Sequence, residues 1–204
     1  MTRIPLPDDV VAKLRKMHEE GDRGYHGWSH PVDLLEKIHT ISGLLHDVLA
    51  MRCAAITHDV IYDVSRKDNE VRSAQFARGL LQGLIPEVSM IRMTSMTEAT
   101  AGHYVQEGLS PEDTSDTKHF LDLDLSILGE DREKFDRYEA GIRHEYRAPP
   151  LHEYAAARAK VMSTFLERPR IYVSEWGRDM YEARARRNLK GLIARLTRIA
   201  EEGP

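Results

Sequence analysis

One segment, MRCAAITHDVIYD (residues 51–63), governs how the rest of the chain is interpreted. Its first half is an apolar run with small side chains, which predicts a buried helix. At the end of that helix stand a histidine and an aspartate, His58 and Asp59. An unpaired carboxylate in that position would cost several kcal/mol. A divalent metal ion removes this cost, because neutral imidazole and carboxylate are both good ligands. The segment therefore predicts part of a metal site.

Length and composition predict one globular domain that spans residues 1–204. The 41% hydrophobic and 30% charged residues are typical of a soluble protein, and the net charge of −4 argues against general nucleic-acid binding. The single cysteine, Cys53, cannot form an internal disulfide, which fits a reducing compartment. No signal peptide and no apolar membrane span are visible. We therefore predict a cytoplasmic protein without a nucleic-acid or membrane partner, and leave a homodimer open.

Hydrophobic periodicity predicts an all-α fold, a helical bundle. The predicted helices cover residues 8–21, 29–45, 47–62, 68–83, 86–102, 116–128, 131–147 and 151–167, and a last helix begins at residue 174. Residues 121–125 alternate like a strand, but residues 126–129 break that period and favour a helix. The last helix is rich in arginine. Its acidic residues predict a solvated, ion-paired face rather than a nucleic-acid surface.

Other polar residues fall on apolar helix faces. His30 lies on the apolar stripe of the second helix, and Asp124 lies at the centre of an apolar face, whereas Asp122 falls on the polar side. Alternative interpretations are a hydrogen-bonded core histidine for His30 and a buried ion pair with an arginine for Asp124. Together His30, His58, Asp59 and Asp124 suit a six-coordinate divalent ion with open positions for water and phosphate. The ion could be Mn, Ni, Co, Fe or Mg.

A second His-Asp pair, His46-Asp47, has a simpler explanation. His46 ends one apolar helix, and Asp47 stands where the next helix needs an N-cap. We therefore predict that this pair is structural.

The ligand pattern resembles the HD superfamily of metal-dependent phosphohydrolases, and more narrowly its predicted phosphohydrolases of about 200 residues. The superfamily pattern is a His, a His-Asp pair and a later Asp, all on helices. The matching pieces are Tyr25–His30, His58–Asp63, Asp68–Glu70, Ser73–Ala74, Gly102–His103, Asp122–Gly129, Ile142–Tyr146 and Ala185–Leu189. The resemblance implies an HD-type helical domain that cleaves a phosphate ester of a nucleotide or small metabolite by attack of a metal-bound hydroxide. It names no substrate.

Asp59 is a candidate catalytic residue as well as a metal ligand, and three further residues are candidates for the chemistry beside it. Asp63, one helical turn beyond Asp59, could orient water or bind a second ion, or it is a loop carboxylate. Glu70 could accept a hydrogen bond from a ligand histidine, or it pairs with surface cations. His103 could protonate the leaving group, or it is structural.

Two residues are candidates for substrate binding. His26 is a substrate-side group or a plain turn histidine, because the neighbouring glycines disfavour a regular helix there. Arg143 could be a fixed cation for phosphate.

Three other functions stay open at this point. The same pocket could hold a nucleotide or metal without catalysis, as a non-catalytic HD module. The domain could be a helical scaffold with a vestigial site. It could also be a di-iron HD-type oxygenase, which needs a second iron and extra histidines; His26 and His103 are candidates.

Overall fold

The computed structural model describes Ile4 and residues 6–203, and over these residues the protein is all-α, as predicted. Over the described residues, the chain forms two compact units that divide between Asp124 and Leu125. The helices of the first unit are α1 Asp8–Glu19, α2 Ser29–Thr40, α3 Val48–Thr57, α4 Asn69–Leu81, α5 Glu87–Ala99 and α6 Pro111–Asp124. Those of the second unit are α7 Arg132–Glu145, α8 Leu151–Leu166, the short α9 Glu175–Gly177 and α10 Ala183–Glu202. The single domain over residues 1–204 stays a prediction.

Helix α3 is the centre of the first unit. It packs against α2, α4 and α5. Its residues Cys53, Ala54 and Ala55 are fully buried, and their short side chains let the neighbouring helices approach closely. The segment predicted to be a buried helix is therefore the core element of this unit.

Several helix boundaries differ from the prediction. Helix α3 ends at Thr57 rather than near Tyr62, and the backbone N–H of His58 closes its last turn on the carbonyl of Ala54 at 2.9 Å. His58 and Asp59 consequently lie in the turn that leaves the helix. Helix α6 begins at Pro111, five residues before the predicted start at residue 116.

The second unit is built on the packing of α8 against α10. The one-turn helix Leu125–Gly129 also packs on α10, and the side-chain amide of Asn188 donates to the carbonyl of Leu128 at 2.9 Å. Gly129 is required there, because a Cβ at that position would lie 2.6 Å from the Cβ of Tyr181. On α10, Arg186 pairs with Glu182, which agrees with the predicted ion-paired face.

Across the residues described, every helix is too short or too polar to cross a bilayer.

Candidate metal centre

Three side chains from distant parts of the first unit converge on one point. His30 is in the first turn of α2, His58 follows the last residue of α3, and Asp124 is the last residue of α6. Each offers one ligand atom, and these atoms lie within 4.8 Å of one another. Both imidazole rings are almost fully buried, whereas the Asp124 side chain remains 14% exposed. The predicted convergence of these three residues is therefore present.

The distances within this group are short. The two Nε2 atoms of His30 and His58 are 3.2 Å apart. Oδ1 of Asp124 is 3.1 Å from Nε2 of His30 and 3.4 Å from Nε2 of His58. Two ligands bound at right angles to an ion, each ~2.1 Å from it, are about 3 Å apart. The spacing fits a small divalent cation.

Asp59, the fourth predicted ligand, lies at the edge of the group. Its Oδ2 is 2.9 Å from Nε2 of His58 and 3.8 Å from Nε2 of His30. Its carboxylate therefore faces the same imidazole nitrogens as Asp124 does, and it completes a set of two nitrogen and two oxygen donors.

The orientation of the His58 ring is set by the helix that it follows. Its Nδ1 lies 3.3 Å from the carbonyl of Ala54 and 3.2 Å from that of Ala55. Since both neighbours are acceptors, Nδ1 carries the proton and donates it to them. This directs Nε2 toward the group, the arrangement usual for a metal-binding histidine.

The charges of the group follow from burial and proximity. Burial disfavours the charged form of His58, but Asp59 and Asp124 outweigh this effect and raise its pKa well above the ordinary value. Burial lowers the pKa of His30. Burial also opposes ionisation of Asp124, yet the hydrogen bonds from His103, His30 and His58 hold its pKa well below the usual range. The pKa of Asp59 is lowered against burial mainly by His58.

His103 contacts the carboxylate oxygen of Asp124 that does not face His30. Its Nε2 is 3.0 Å from Oδ2 of Asp124, so the two oxygens of this carboxylate face different histidines. His103 has a φ of +52°, a backbone conformation that few residues other than glycine adopt. Strained backbone of this kind often occurs at functional sites. The structure thus places His103 beside the candidate metal centre, and its role as acid stays a prediction.

His26 also lies near the group. Its ring stacks on Tyr62 with centroids 4.2 Å apart, and it meets the His30 ring edge-on at 6.1 Å. Tyr25 packs on His30 as well, and the centroids of the two rings are 4.8 Å apart. The turn before α2 therefore surrounds a predicted ligand with half-buried aromatic rings. Substrate binding by His26 stays a prediction.

Two of the predicted catalytic residues do not join the group. Asp63 is exposed, and its Oδ1 accepts hydrogen bonds from the backbone and hydroxyl of Ser65. Glu70 is half-buried in the first turn of α4, outside the group. The helical spacing assumed for Asp63 is wrong, because α3 ends at Thr57 and the chain no longer returns to the same face every turn. Catalytic roles for Asp63 and Glu70 stay predictions.

Arg143 belongs to the second unit and is held by its own neighbourhood. Its guanidinium donates to the carbonyls of Tyr146 and Pro149 and lies over the ring of Tyr154, 4.8 Å from the centroid. Through these contacts Arg143 supplies hydrogen bonds to the backbone just after the end of α7. Phosphate binding by Arg143 stays a prediction.

Of the two aspartates near the end of α6, Asp124 is in the group, as predicted. The prediction for Asp122 is wrong: it was placed on the polar side of the helix, but it is buried, with 1% exposure. At the end of α6 the side chain with the larger exposure is the one that reaches the site.

The pair His46-Asp47 has structural contacts, as predicted. The carboxylate of Asp47 caps α3 by accepting from the backbone N–H of Ala50, and it also accepts from the hydroxyl of Ser89 and the guanidinium of Arg92. The backbone N–H groups of His46 and Asp47 in turn donate to the carboxylate of Asp116.

Sequence reasoning missed two residues that hold the site. Arg23 donates to the backbone carbonyl of Asp59 at 2.6 Å, and His18, fully buried on α1, contacts the carbonyl of Ile56 at 3.1 Å. Both contacts are to backbone carbonyls, which every residue has, so the amino-acid sequence does not indicate these partners.

No family model matches the chain, and neither a curated protein nor a solved structure is significantly similar to it.

Proposed function

We propose that the protein is a metal-dependent phosphohydrolase of the HD type that cleaves a small-molecule phosphate ester. The observation that carries the proposal is the convergence of His30, His58 and Asp124, with Asp59 at 2.9 Å from His58. These are the residues that carry the HD resemblance in the sequence, and they come from α2, from the turn after α3 and from the end of α6.

The donor set suits a divalent ion in this role. Two imidazoles and two carboxylates leave positions of a six-coordinate ion for water and a phosphoryl oxygen. A bound divalent ion lowers the pKa of a coordinated water toward about 7 and polarises a phosphoryl oxygen. Asp59 and Asp124 would balance the charge of a divalent ion, because their lowered pKa values keep both carboxylates ionised.

Other residues supply positions around the ligands. The side chain of His103 is 17% exposed, and its Nε2 lies 3.0 Å from Oδ2 of Asp124, so it contacts both this carboxylate and solvent. From this position it would donate a proton to a leaving oxygen. The rings of Tyr25 and His26 contact the ring of His30, and Tyr62 stacks on His26, so the organic part of an ester bound beside His30 would lie near aromatic side chains.

The test is turnover of p-nitrophenyl phosphate and of nucleoside monophosphates by chelator-treated protein with Mn²⁺, Co²⁺, Ni²⁺ or Mg²⁺ added back. We expect hydrolysis that depends on one of these ions, and a loss of roughly a hundredfold or more in the Asp124→Asn variant. The matched control is Asp33→Asn, which changes an exposed carboxylate of α2 paired with Lys37. Metal binding without turnover of any ester would favour the non-catalytic module, and equal activity with and without chelator would contradict the proposal.

A further inference from the structure

We infer that Arg23 is a positioning residue that fixes the metal ligand Asp59 relative to His58 and joins it to the turn that carries His26. The inference rests on the proposed function, because it takes Asp59 as a ligand. Arg23 is neither one of the four predicted ligands nor part of the sequence pieces that carry the HD resemblance.

The guanidinium of Arg23 is bonded to three backbone carbonyls from two segments. Nη1 donates to Asp59 at 2.6 Å and to His26 at 3.2 Å, and Nη2 donates to Val60 at 3.0 Å. The same group lies 5.7 Å from the centre of the Tyr62 ring. A planar fork of donors is suited to several fixed acceptors at once, and a charged donor strengthens each bond.

These carbonyls need a donor because α3 stops at Thr57. The last carbonyls of a helix and those of the turn after it have no intrahelical partner. Arg23 supplies the hydrogen bonds for Asp59 and Val60, and His18 contacts the carbonyl of Ile56. The end of α3 is thus completed by side chains from α1 and from the turn that follows it.

His18 and Arg23 divide the acceptors between them. Nδ1 of His18 lies 3.4 Å from the carbonyl of His26, and Nε2 lies 3.1 Å from that of Ile56. Burial lowers the pKa of His18 to about 4, so the neutral ring has one N–H to give near pH 7. The shorter contact assigns this N–H to Ile56. Arg23 is then the donor for the carbonyl of His26.

The two adjacent ligands are consequently anchored by different means. The ring of His58 is oriented by carbonyls of its own helix, Ala54 and Ala55. The backbone of Asp59 lies beyond the helix and is held by Arg23. Removing the guanidinium should therefore loosen Asp59 and leave His58 in place.

The test is the binding of Co²⁺ to chelator-treated protein, followed by its visible absorption spectrum, in the Arg23→Gln and Arg23→Lys variants. We expect the dissociation constant to rise roughly 10- to 100-fold in both, the usual effect of losing a residue that orients a ligand. The lysine variant keeps the charge, but one ammonium cannot reproduce the planar fork. The spectrum should change as well, because the geometry of the Asp59 oxygen changes.

The matched control is Arg15→Gln, which removes an exposed arginine of α1 paired with Glu19. It should bind Co²⁺ like the wild type. Unchanged affinity and spectrum in the folded Arg23 variants, even with a lower Tm, would overturn the inference, since the role would be merely structural. If Arg23→Gln does not fold, Arg23→Lys decides by the same criterion. Failure of the wild type to bind Co²⁺ would overturn the proposed function and this inference with it.

Discussion

The Nε2 atoms of His30 and His58 face each other at 3.2 Å in the interior of the first unit. Each nitrogen also faces a carboxylate oxygen: Nε2 of His30 is 3.1 Å from Oδ1 of Asp124, and Nε2 of His58 is 2.9 Å from Oδ2 of Asp59. Because the pKa of His58 is raised and that of His30 is lowered, His58 is the ring that carries the extra proton in the metal-free protein. A metal ion would take its position.

Metal binding should therefore release a proton. His58 is charged near neutral pH without metal, because Asp59 and Asp124 raise its pKa despite burial. A ligand histidine must be neutral, so we expect release of about one proton per ion and an affinity that rises with pH. Titration calorimetry in buffers of different ionisation enthalpy measures the proton count. Binding without proton exchange would show that His58 is not a ligand.

Replacing Asp124 should affect metal binding, and replacing Asp122 should not. Asp124→Asn removes a charged oxygen 3.1 Å from Nε2 of His30, whereas Asp122 lies outside the group. We expect the metal content after dialysis against Mn²⁺ to fall to background in the first variant. The second should keep it, although its buried position predicts a lower Tm. Full metal content in both variants would contradict the ligand assignment.

The pair His46-Asp47 should matter for stability rather than activity. Asp47→Ala removes an N-cap and leaves Ser89 and Arg92 without their carboxylate acceptor, so we expect a loss of about 2 kcal/mol in the free energy of unfolding by urea. His46→Ala should change it by less than about 0.5 kcal/mol and keep activity near that of the wild type. A well-folded but inactive His46→Ala protein would mean that the wrong His-Asp pair was chosen.

His18 should make the metal-free protein less stable in acid. Its pKa is lowered by burial from 6.5 to about 4. Above pH 6.5 the ring is neutral in both states, so its contribution to stability is fully present. Between pH 6.5 and 4 the unfolded chain binds a proton that the folded chain does not, and stability falls by on the order of 3 kcal/mol. Below pH 4 both states are protonated and the loss ends.

The His18 effect is measured by urea unfolding across this pH range, with His18→Gln for comparison. Glutamine keeps a donor for the carbonyl of Ile56 but does not titrate. The variant should therefore show a shallower decline below pH 6.5. Parallel profiles for the two proteins would assign the acid sensitivity to other groups.

Much of the fold could be predicted from local sequence. A buried helix before His58 follows from the apolar run, and the all-α class follows from hydrophobic periodicity, because both depend on neighbours a few residues apart. The identities of the metal-binding candidates could also be named, because a carboxylate or imidazole on an apolar face is costly unless it has a partner. The structural use of Asp47 followed from its position before a helix.

The amino-acid sequence by itself determined which elements form and which residues are chemically able to bind a metal. Tertiary structure alone decided where α3 ends, and with it that Asp63 faces solvent while Asp59 stays beside His58. It also decided that His30 meets Asp124, 94 positions later in the chain, and that Arg23 holds the backbone after the helix. The physical reason is the distance along the chain over which the interactions act. Helical periodicity depends on residues three or four positions apart, whereas the convergence of three helix ends depends on how whole helices pack.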